Sequence, residues 1–208
     1  MFGLEKEEVR TLKRLNSPGK IQDFLNRIPI NFEPNGDTCF SPRKVLLHNT
    51  AHCMEGAMLA AAILRIHGQK PLVIDLTATK KDFDHVVTLF QKNGHWGAIS
   101  KTNHAVLRYR EPIYKNVREL VMSFFHEYFD DNGKKTLRSF SAPVNLSKFD
   151  KINWISSEEH LWEIPEYLAE VKHFPILNRK QIRSLRLADM PEIQAGKIVE
   201  WKNPGNGV

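Results

Sequence analysis

The sequence has only two cysteines, Cys39 and Cys53, in 208 residues. Two cysteines are too few for a disulfide framework, and they cannot form a thiolate zinc site without other ligands. No apolar run reaches the roughly 18 residues that a transmembrane helix needs, and the charged N-terminal segment lacks the apolar part of a signal peptide. We therefore expect a cytoplasmic protein with no membrane partner.

The sequence also lacks internal repeats, low-complexity segments and a nucleic-acid-binding motif. Its net charge is +6, but the 30 basic residues are spread along the chain and mixed with 24 acidic ones. Nucleic acid is therefore a possible partner but not the favoured one.

Hydrophobic periodicity predicts helices within residues 4–27, followed by an ordered loop over residues 29–44. The next helix begins near Ala51 with Asn49 or Thr50 as its cap, and Gly68 ends it. Its interior, "GAMLAAAILRI", is apolar on nearly every side, which predicts a central, buried helix. The segment "PLVIDLTA" then predicts a buried strand, and "DHVVTLF" and "HWGAIS" predict a hairpin around Lys92-Asn93-Gly94.

Beyond this hairpin, Pro112 is predicted to open a long amphipathic helix that reaches Phe129, and "TLRSFSAPVNL" to add a strand. Another helix is predicted from Glu158 to Lys172, and the tail after Pro191 is expected to fray. These elements predict one α+β domain over residues 1–208, in which a central helix packs on an antiparallel sheet. We expect its core at about 45–145, with extra helices at 4–27 and a helical extension at 150–190.

Cys53 lies in the first turn of the predicted central helix. A helix N-terminus stabilises a thiolate, and a nearby imidazole can take the thiol proton, so Cys53 is a candidate nucleophile and His85 its candidate base. Considered alone, Cys53 is better explained as a small buried side chain; together with His85 and the position of Trp96, the helix start favours a nucleophile.

The order of these segments resembles the transglutaminase-like branch of the papain-like cysteine enzymes. The segments that match are "HCMEGAMLAAAILRIHGQKPLVIDL", "DHVVTLF" and "NGHWGAISK", which cover about residues 45 to 105. The resemblance implies a papain-like fold, a nucleophile at Cys53 and a histidine at His85. In the last motif of this family an aspartate follows the tryptophan after three residues, whereas here Trp96 is followed at that position by Ser100.

Serine can accept a hydrogen bond from an imidazole but carries no charge. Ser100 is thus the first candidate to orient His85, followed by Asn103 and Asp82. An oxyanion hole would combine the backbone N–H of Cys53 with a second donor, for which His48, Asn49 and His52 are available.

Trp96, Arg108 and Arg110 are the candidate substrate-binding residues. For the arginines the alternative is ion pairing with Glu111 and Glu119 at a solvated surface. The spacing of His48 and His52 would suit a metal, but no third ligand is evident, so we predict neither a metal nor an organic cofactor.

These features predict a cysteine-dependent hydrolase or acyltransferase that acts on an amide or peptide bond of a peptide or protein. The alternative is a catalytically inactive protein of the same fold that binds a peptide, a protein or a nucleic acid. The missing aspartate favours the alternative, and the Cys53–His85 pair favours the enzyme.

Overall fold

The computed structural model describes residues 1–203, which form an α+β fold with an open antiparallel sheet. The helices of this part are α1 (Lys6–Lys13), α2 (Pro18–Arg27), α3 (Pro42–His48), α4 (Cys53–Ile66), α5 (Val117–Met122), α6 (Glu163–Glu170), α7 (Arg179–Arg183) and α8 (Met190–Gly196). The strands are β1 (Leu72–Thr77), β2 (His85–Lys92), β3 (His95–Ser100), β4 (Arg110–Tyr114), β5 (Ser139–Ser141), β6 (Val144–Asn145) and β7 (His173–Pro175).

The sheet has the strand order β4-β3-β2-β1-β5-β7, and β6 also pairs with β1. Strands β2 and β3 form the predicted hairpin, whose two-residue turn has positive φ at Asn93 (53°) and Gly94 (77°). Two consecutive positive φ values define a type I′ turn, which matches the twist of the flanking strands. The turn sets the register that pairs Val87 with Ser100 at the far end of the hairpin.

Helix α4 is the centre of the larger hydrophobic core. Twelve of its fourteen residues are buried, as the all-round apolar sequence predicts. Its packing against the sheet includes a hydrogen bond from the Thr88 hydroxyl on β2 to the Ala57 carbonyl, 2.6 Å long. A second core covers the opposite face of the sheet, where Ile74 and Leu76 of β1 pack with Phe124 and Phe125.

The prediction of one long helix from Pro112 to Phe129 is wrong. Residues 110–114 instead form edge strand β4, α5 begins at Val117, and a separate 3₁₀ turn covers Phe125–Glu127. The Asn116 side chain accepts the backbone N–H of Glu119 (2.9 Å), so the helix begins after Asn116 and not at Pro112. The apolar side chains of Leu120, Val121, Phe124 and Phe125 in this segment are nevertheless buried.

Four other segments differ from the sequence prediction. The predicted loop over 29–44 contains the start of α3, and the predicted helix Glu158–Lys172 is shortened to Glu163–Glu170. The C-terminal extension is not purely helical, because β7 joins the sheet beside β5. The prediction that the tail after Pro191 frays is wrong for the described residues, because this segment completes α8 and residues 198, 200 and 201 then bond to Asn103 and Ala105; residues 204–208 lie outside the described part of the chain.

Gly56 marks a close approach between α4 and the sheet. A Cβ on Gly56 would lie 2.4 Å from the Cβ of Lys101, so only glycine fits there without a shift. Within residues 1–203 no helix has the length and apolar character needed to cross a membrane.

Candidate active site

Cys53 is the first residue of α4, and His52 is the cap of that helix. The predicted caps are wrong: Asn49 ends α3 in a left-handed conformation, and Thr50 lies before the actual boundary. The His52 Nδ1 atom accepts the backbone N–H of Met54 at 3.2 Å, and Glu55 accepts the backbone N–H of His52 at 3.0 Å. This reciprocal capping box places the Cys53 thiol at the positive end of a 14-residue helix.

A cleft of about 820 Å³ opens beside Cys53. Cys53 is half-buried and His85 is 7% exposed, and both side chains line this cleft. Its volume lies within the range of small-molecule sites in proteins. The remaining walls come from residues 81–84, 101–104, 106–107, 127–132, 193 and 196–197, with Ile30 and Phe32.

His85 and Ser100 are joined as the sequence analysis proposed. The His85 Nε2 atom lies 2.8 Å from the Ser100 hydroxyl, and that hydroxyl donates to the Leu107 carbonyl at 2.6 Å. Because the single hydroxyl hydrogen is used by Leu107, Ser100 can only accept from His85. The His85 Nε2 atom therefore carries a hydrogen, and Nδ1 holds the lone pair in the neutral ring.

Helix α2 fixes the position of Ser100. The Gln22 side chain accepts the backbone N–H of Ser100 at 2.9 Å and donates to its carbonyl at 2.8 Å. The next residue, Lys101, is 1% exposed and donates through Nζ to the carbonyls of Leu25 and Ile28 at the end of the same helix. The end of β3 is thus bonded to α2 through a side-chain amide and a buried ammonium group.

Hydrogen-bond acceptors surround the Nε2 atom of His52, on the side of the ring opposite to Nδ1. Its Nε2 atom is 3.1 Å from the Thr38 carbonyl, 3.4 Å from a Glu55 oxygen and 3.7 Å from a Glu33 oxygen. Glu55 is fully buried and also accepts from the Phe40 backbone N–H at 2.9 Å. Two carboxylates therefore lie next to His52.

The environment of Cys53 favours the thiolate. Burial raises the pKa of the Cys53 thiol, but hydrogen bonds with His52 and His85 and the charges of both rings lower it to about 5. In contrast, burial and the charge of Glu55 raise the pKa of Cys39 to about 12. The two cysteines are therefore opposites, since Cys39 is 1% exposed and Cys53 faces the cleft.

The two other candidates for orienting His85 are engaged elsewhere. Both polar atoms of the Asn103 side chain bond to the backbone of Trp201, each at 2.9 Å. Asp82 accepts from the Thr136 hydroxyl and from the backbone N–H of Phe83. Both residues line the cleft, where they fix its walls.

Three predicted residues lie away from the thiol. His48 is exposed at the end of α3 and stacks on Phe40 with 5.0 Å between ring centroids, while Asn49 is exposed beside it. Trp96 is the second residue of β3 and pairs with Tyr114, so it lies near the opposite end of the strand from Ser100. Among the residues proposed for an oxyanion hole, His52 is thus the one next to Cys53.

Arg108 and Arg110 are engaged by internal partners. Arg108 pairs with Glu200 at 2.9 Å, and Arg110 pairs with Glu127 at 2.7 Å. Arg110 also lies over the Phe124 ring, 4.1 Å from its centroid. The ion-pairing alternative is correct in kind, but the partners are Glu200 and Glu127 and not Glu111 and Glu119.

Sequence reasoning missed four contributors, namely Gln22, Glu33, Thr38 and Glu55. Glu55 had a signal, because a glutamate three residues after a helix cap is the pattern of a capping box. The other three come from residues before α3 and make contacts that no local pattern encodes.

Comparison with known proteins does not assign this chain to a family. No family model matches the chain, and no curated protein matches it. Among residues 1–203, no group of three or more histidine, cysteine, aspartate or glutamate side chains is arranged to hold a metal ion.

Proposed function

We propose that the protein is a cysteine-dependent hydrolase or acyltransferase of papain-like, transglutaminase-like type, acting on an amide or peptide bond. The observation that carries the proposal is the Cys53 thiol at the start of α4, beside the cap residue His52 and facing a cleft that His85 also lines. The arrangement of α4 against β1, β2 and β3 supports the same proposal.

The proposed reaction begins when the Cys53 thiol gives its proton to His85. The thiolate attacks the carbonyl carbon of the substrate, a C–S bond forms, and the C–N bond breaks as His85 protonates the leaving amine. Water or an acceptor amine then attacks the thioester and gives a proton to His85. The C–S bond breaks, the acyl product leaves, and the proton returns to sulfur.

Ser100 has the positioning role in this scheme. It holds the Nε2–H of His85, so that Nδ1 keeps the lone pair needed to receive a proton. A neutral hydroxyl can fix the ring in this way, although it does not stabilise the imidazolium as an aspartate would.

An activated ester tests the proposal without knowledge of the natural substrate. On incubation with p-nitrophenyl acetate, we expect a burst of nitrophenolate and a single acetyl group on the peptide that contains Cys53, identified by mass spectrometry. Cys39→Ala is the matched control and should retain the burst, whereas Cys53→Ala should lose it. Acetylation that is absent, or that persists in Cys53→Ala, would contradict the proposal.

A further inference from the structure

A negative charge is absent next to His85 but present next to His52, the other imidazole near the thiol. His85 is supported by the neutral Ser100 hydroxyl, whereas His52 has the carboxylates of Glu33 and Glu55 next to its Nε2 atom. A carboxylate beside an imidazole stabilises the imidazolium form. Of the two rings beside the thiol, His52 is therefore the better one to hold a positive charge.

The hydrogen-bond partners of His52 define its tautomer. Every group near Nε2 is an acceptor, namely the carbonyl of Thr38 at 3.1 Å and oxygens of Glu55 and Glu33. Nε2 therefore carries a hydrogen, and in the neutral ring the lone pair is on Nδ1. This lone pair receives the Met54 N–H at 3.2 Å, at the helix end where the Cys53 thiol lies.

The carboxylate of Glu55 is held firmly in place. It is fully buried and accepts from the Thr38 hydroxyl at 2.8 Å, from Asn31 at 3.1 Å, and from the backbone N–H groups of Phe40 and His52. Each of these partners is a donor, so Glu55 is an acceptor in every contact. Its position relative to the His52 ring is fixed by the fold.

We propose that His52 is a third catalytic group, whose Nδ1 takes the thiol proton of Cys53 in the free protein and forms an imidazolium–thiolate pair held by Glu55 and Glu33. The inference rests on the proposed function. The S–H bond breaks with its electron pair on sulfur, and the proton is held on Nδ1. When substrate binds, the proton returns from Nδ1 to the sulfur and is then transferred to His85. The reaction proceeds from there as described for the proposed function.

The balance of local effects supports this assignment. Burial lowers the pKa of the His52 ring, but its hydrogen bond with Cys53 and the charges of Glu55 and the thiolate raise it to about 9. Protonation of Nδ1 removes the hydrogen bond that this atom accepts from the Met54 N–H. The imidazolium–thiolate pair must therefore be stabilised by more than the free energy of that hydrogen bond. The other titratable side chains that line the cleft are His85, Lys81, Asp82, Asp84, Lys101, His104, Glu127, Tyr128, Asp130, Asp131 and Lys197, and Cys39 is close enough to Cys53 for their charges to interact.

The test separates proton transfer by His52 from its role as a helix cap. Asparagine is among the best helix caps but does not titrate, so His52→Asn preserves the cap and removes the base. In a Cys39→Ala background, the rate of alkylation by iodoacetamide is measured from pH 4 to 10. We expect His52→Asn to raise the midpoint for Cys53 and to slow alkylation at pH 6.5 on the order of tenfold.

Two further variants complete the experiment. Glu33→Gln should raise the midpoint in the same direction by less, and His85→Gln should raise it by less than His52→Asn does while abolishing turnover of p-nitrophenyl acetate. If His52→Asn keeps the wild-type midpoint, or if His85→Gln raises it by more than His52→Asn does, His52 is only a cap and this inference is overturned. Failure of the proposed function is distinguishable, because the unaltered protein would then give no burst of nitrophenolate, whatever the midpoint of Cys53. Melting curves of all variants establish that they fold.

Discussion

The reactivity of Cys53 towards iodoacetamide should rise at a much lower pH than that of an ordinary thiol. With a pKa of about 5, roughly nine-tenths of Cys53 is thiolate at pH 6, whereas a thiol at the usual 9.0 is about one-thousandth thiolate. The ratio of thiolate populations is therefore on the order of a thousand. This ratio does not convert directly into a rate, because a less basic thiolate is also a weaker nucleophile.

The loss of nucleophilicity can be estimated from the slope that relates thiolate reactivity to pKa. With a slope of about 0.4–0.5, four units of lowered pKa reduce the intrinsic reactivity roughly 40- to 100-fold. The net expectation is that Cys53 reacts on the order of tenfold faster at pH 6 than an unperturbed thiol. Its rate should then stay nearly constant between pH 6 and 8, where the rate of an ordinary thiol rises about tenfold per unit.

The assay follows alkylation of each cysteine peptide by mass spectrometry under native conditions and in denaturant. The buried Cys39, with its pKa raised to about 12, is the internal control and should react only after unfolding. In denaturant the pH profiles of both cysteines should coincide near the ordinary value. A native profile for Cys53 with its midpoint at 8 to 9 would refute the argument that the two imidazoles and the helix end stabilise its thiolate.

Two further predictions concern the end of β3. Ser100→Asp should not raise turnover of p-nitrophenyl acetate, because the serine hydroxyl donates to the Leu107 carbonyl and a carboxylate cannot donate. If this variant is more active than the unaltered protein, the missing negative charge is what limits catalysis. Gly56→Ala should destabilise the protein by about 1–3 kcal/mol in urea unfolding, because its Cβ would overlap Lys101, whereas Gly19→Ala, with nothing within 4 Å, should be neutral or slightly stabilising. Equal effects of the two alanines would remove the argument from close approach.

The central elements were predictable because they depend on local pattern. Helix α4 is apolar on nearly every side, and strand β3 was predicted with its observed bounds because an Asn-Gly turn precedes it. The segment 110–129 was not predictable in the same way. Its apolar spacing suits a helix throughout, but Arg110–Tyr114 pairs with β3, and that partner lies in another part of the chain.

The residues of the candidate site were likewise predictable in part. Cys53 and His85 could be named from a helix start followed by a strand histidine, and Ser100 was named from the family resemblance, as the residue at the position of the aspartate that follows the tryptophan. The hydrogen-bond and charge partners of His52 could not be predicted, because Glu33 and Thr38 contact its ring from a segment without regular periodicity. Residues chosen for their chemistry alone, such as Arg108, turned out to have partners of their own, here Glu200.

The bonds from Gln22 to both backbone polar groups of Ser100 change what counts as the smallest functional unit of this fold. A fragment limited to residues 45–145 would contain the thiol and His85, yet its serine would have lost the amide that holds it, and Lys101 would be a buried cation without its carbonyl partners. Glu33 would be missing as well. A search for distant relatives should therefore seek the segment from α2 to α3 together with the helix–strand–strand pattern, because a sequence that shares only the pattern need not share the chemistry.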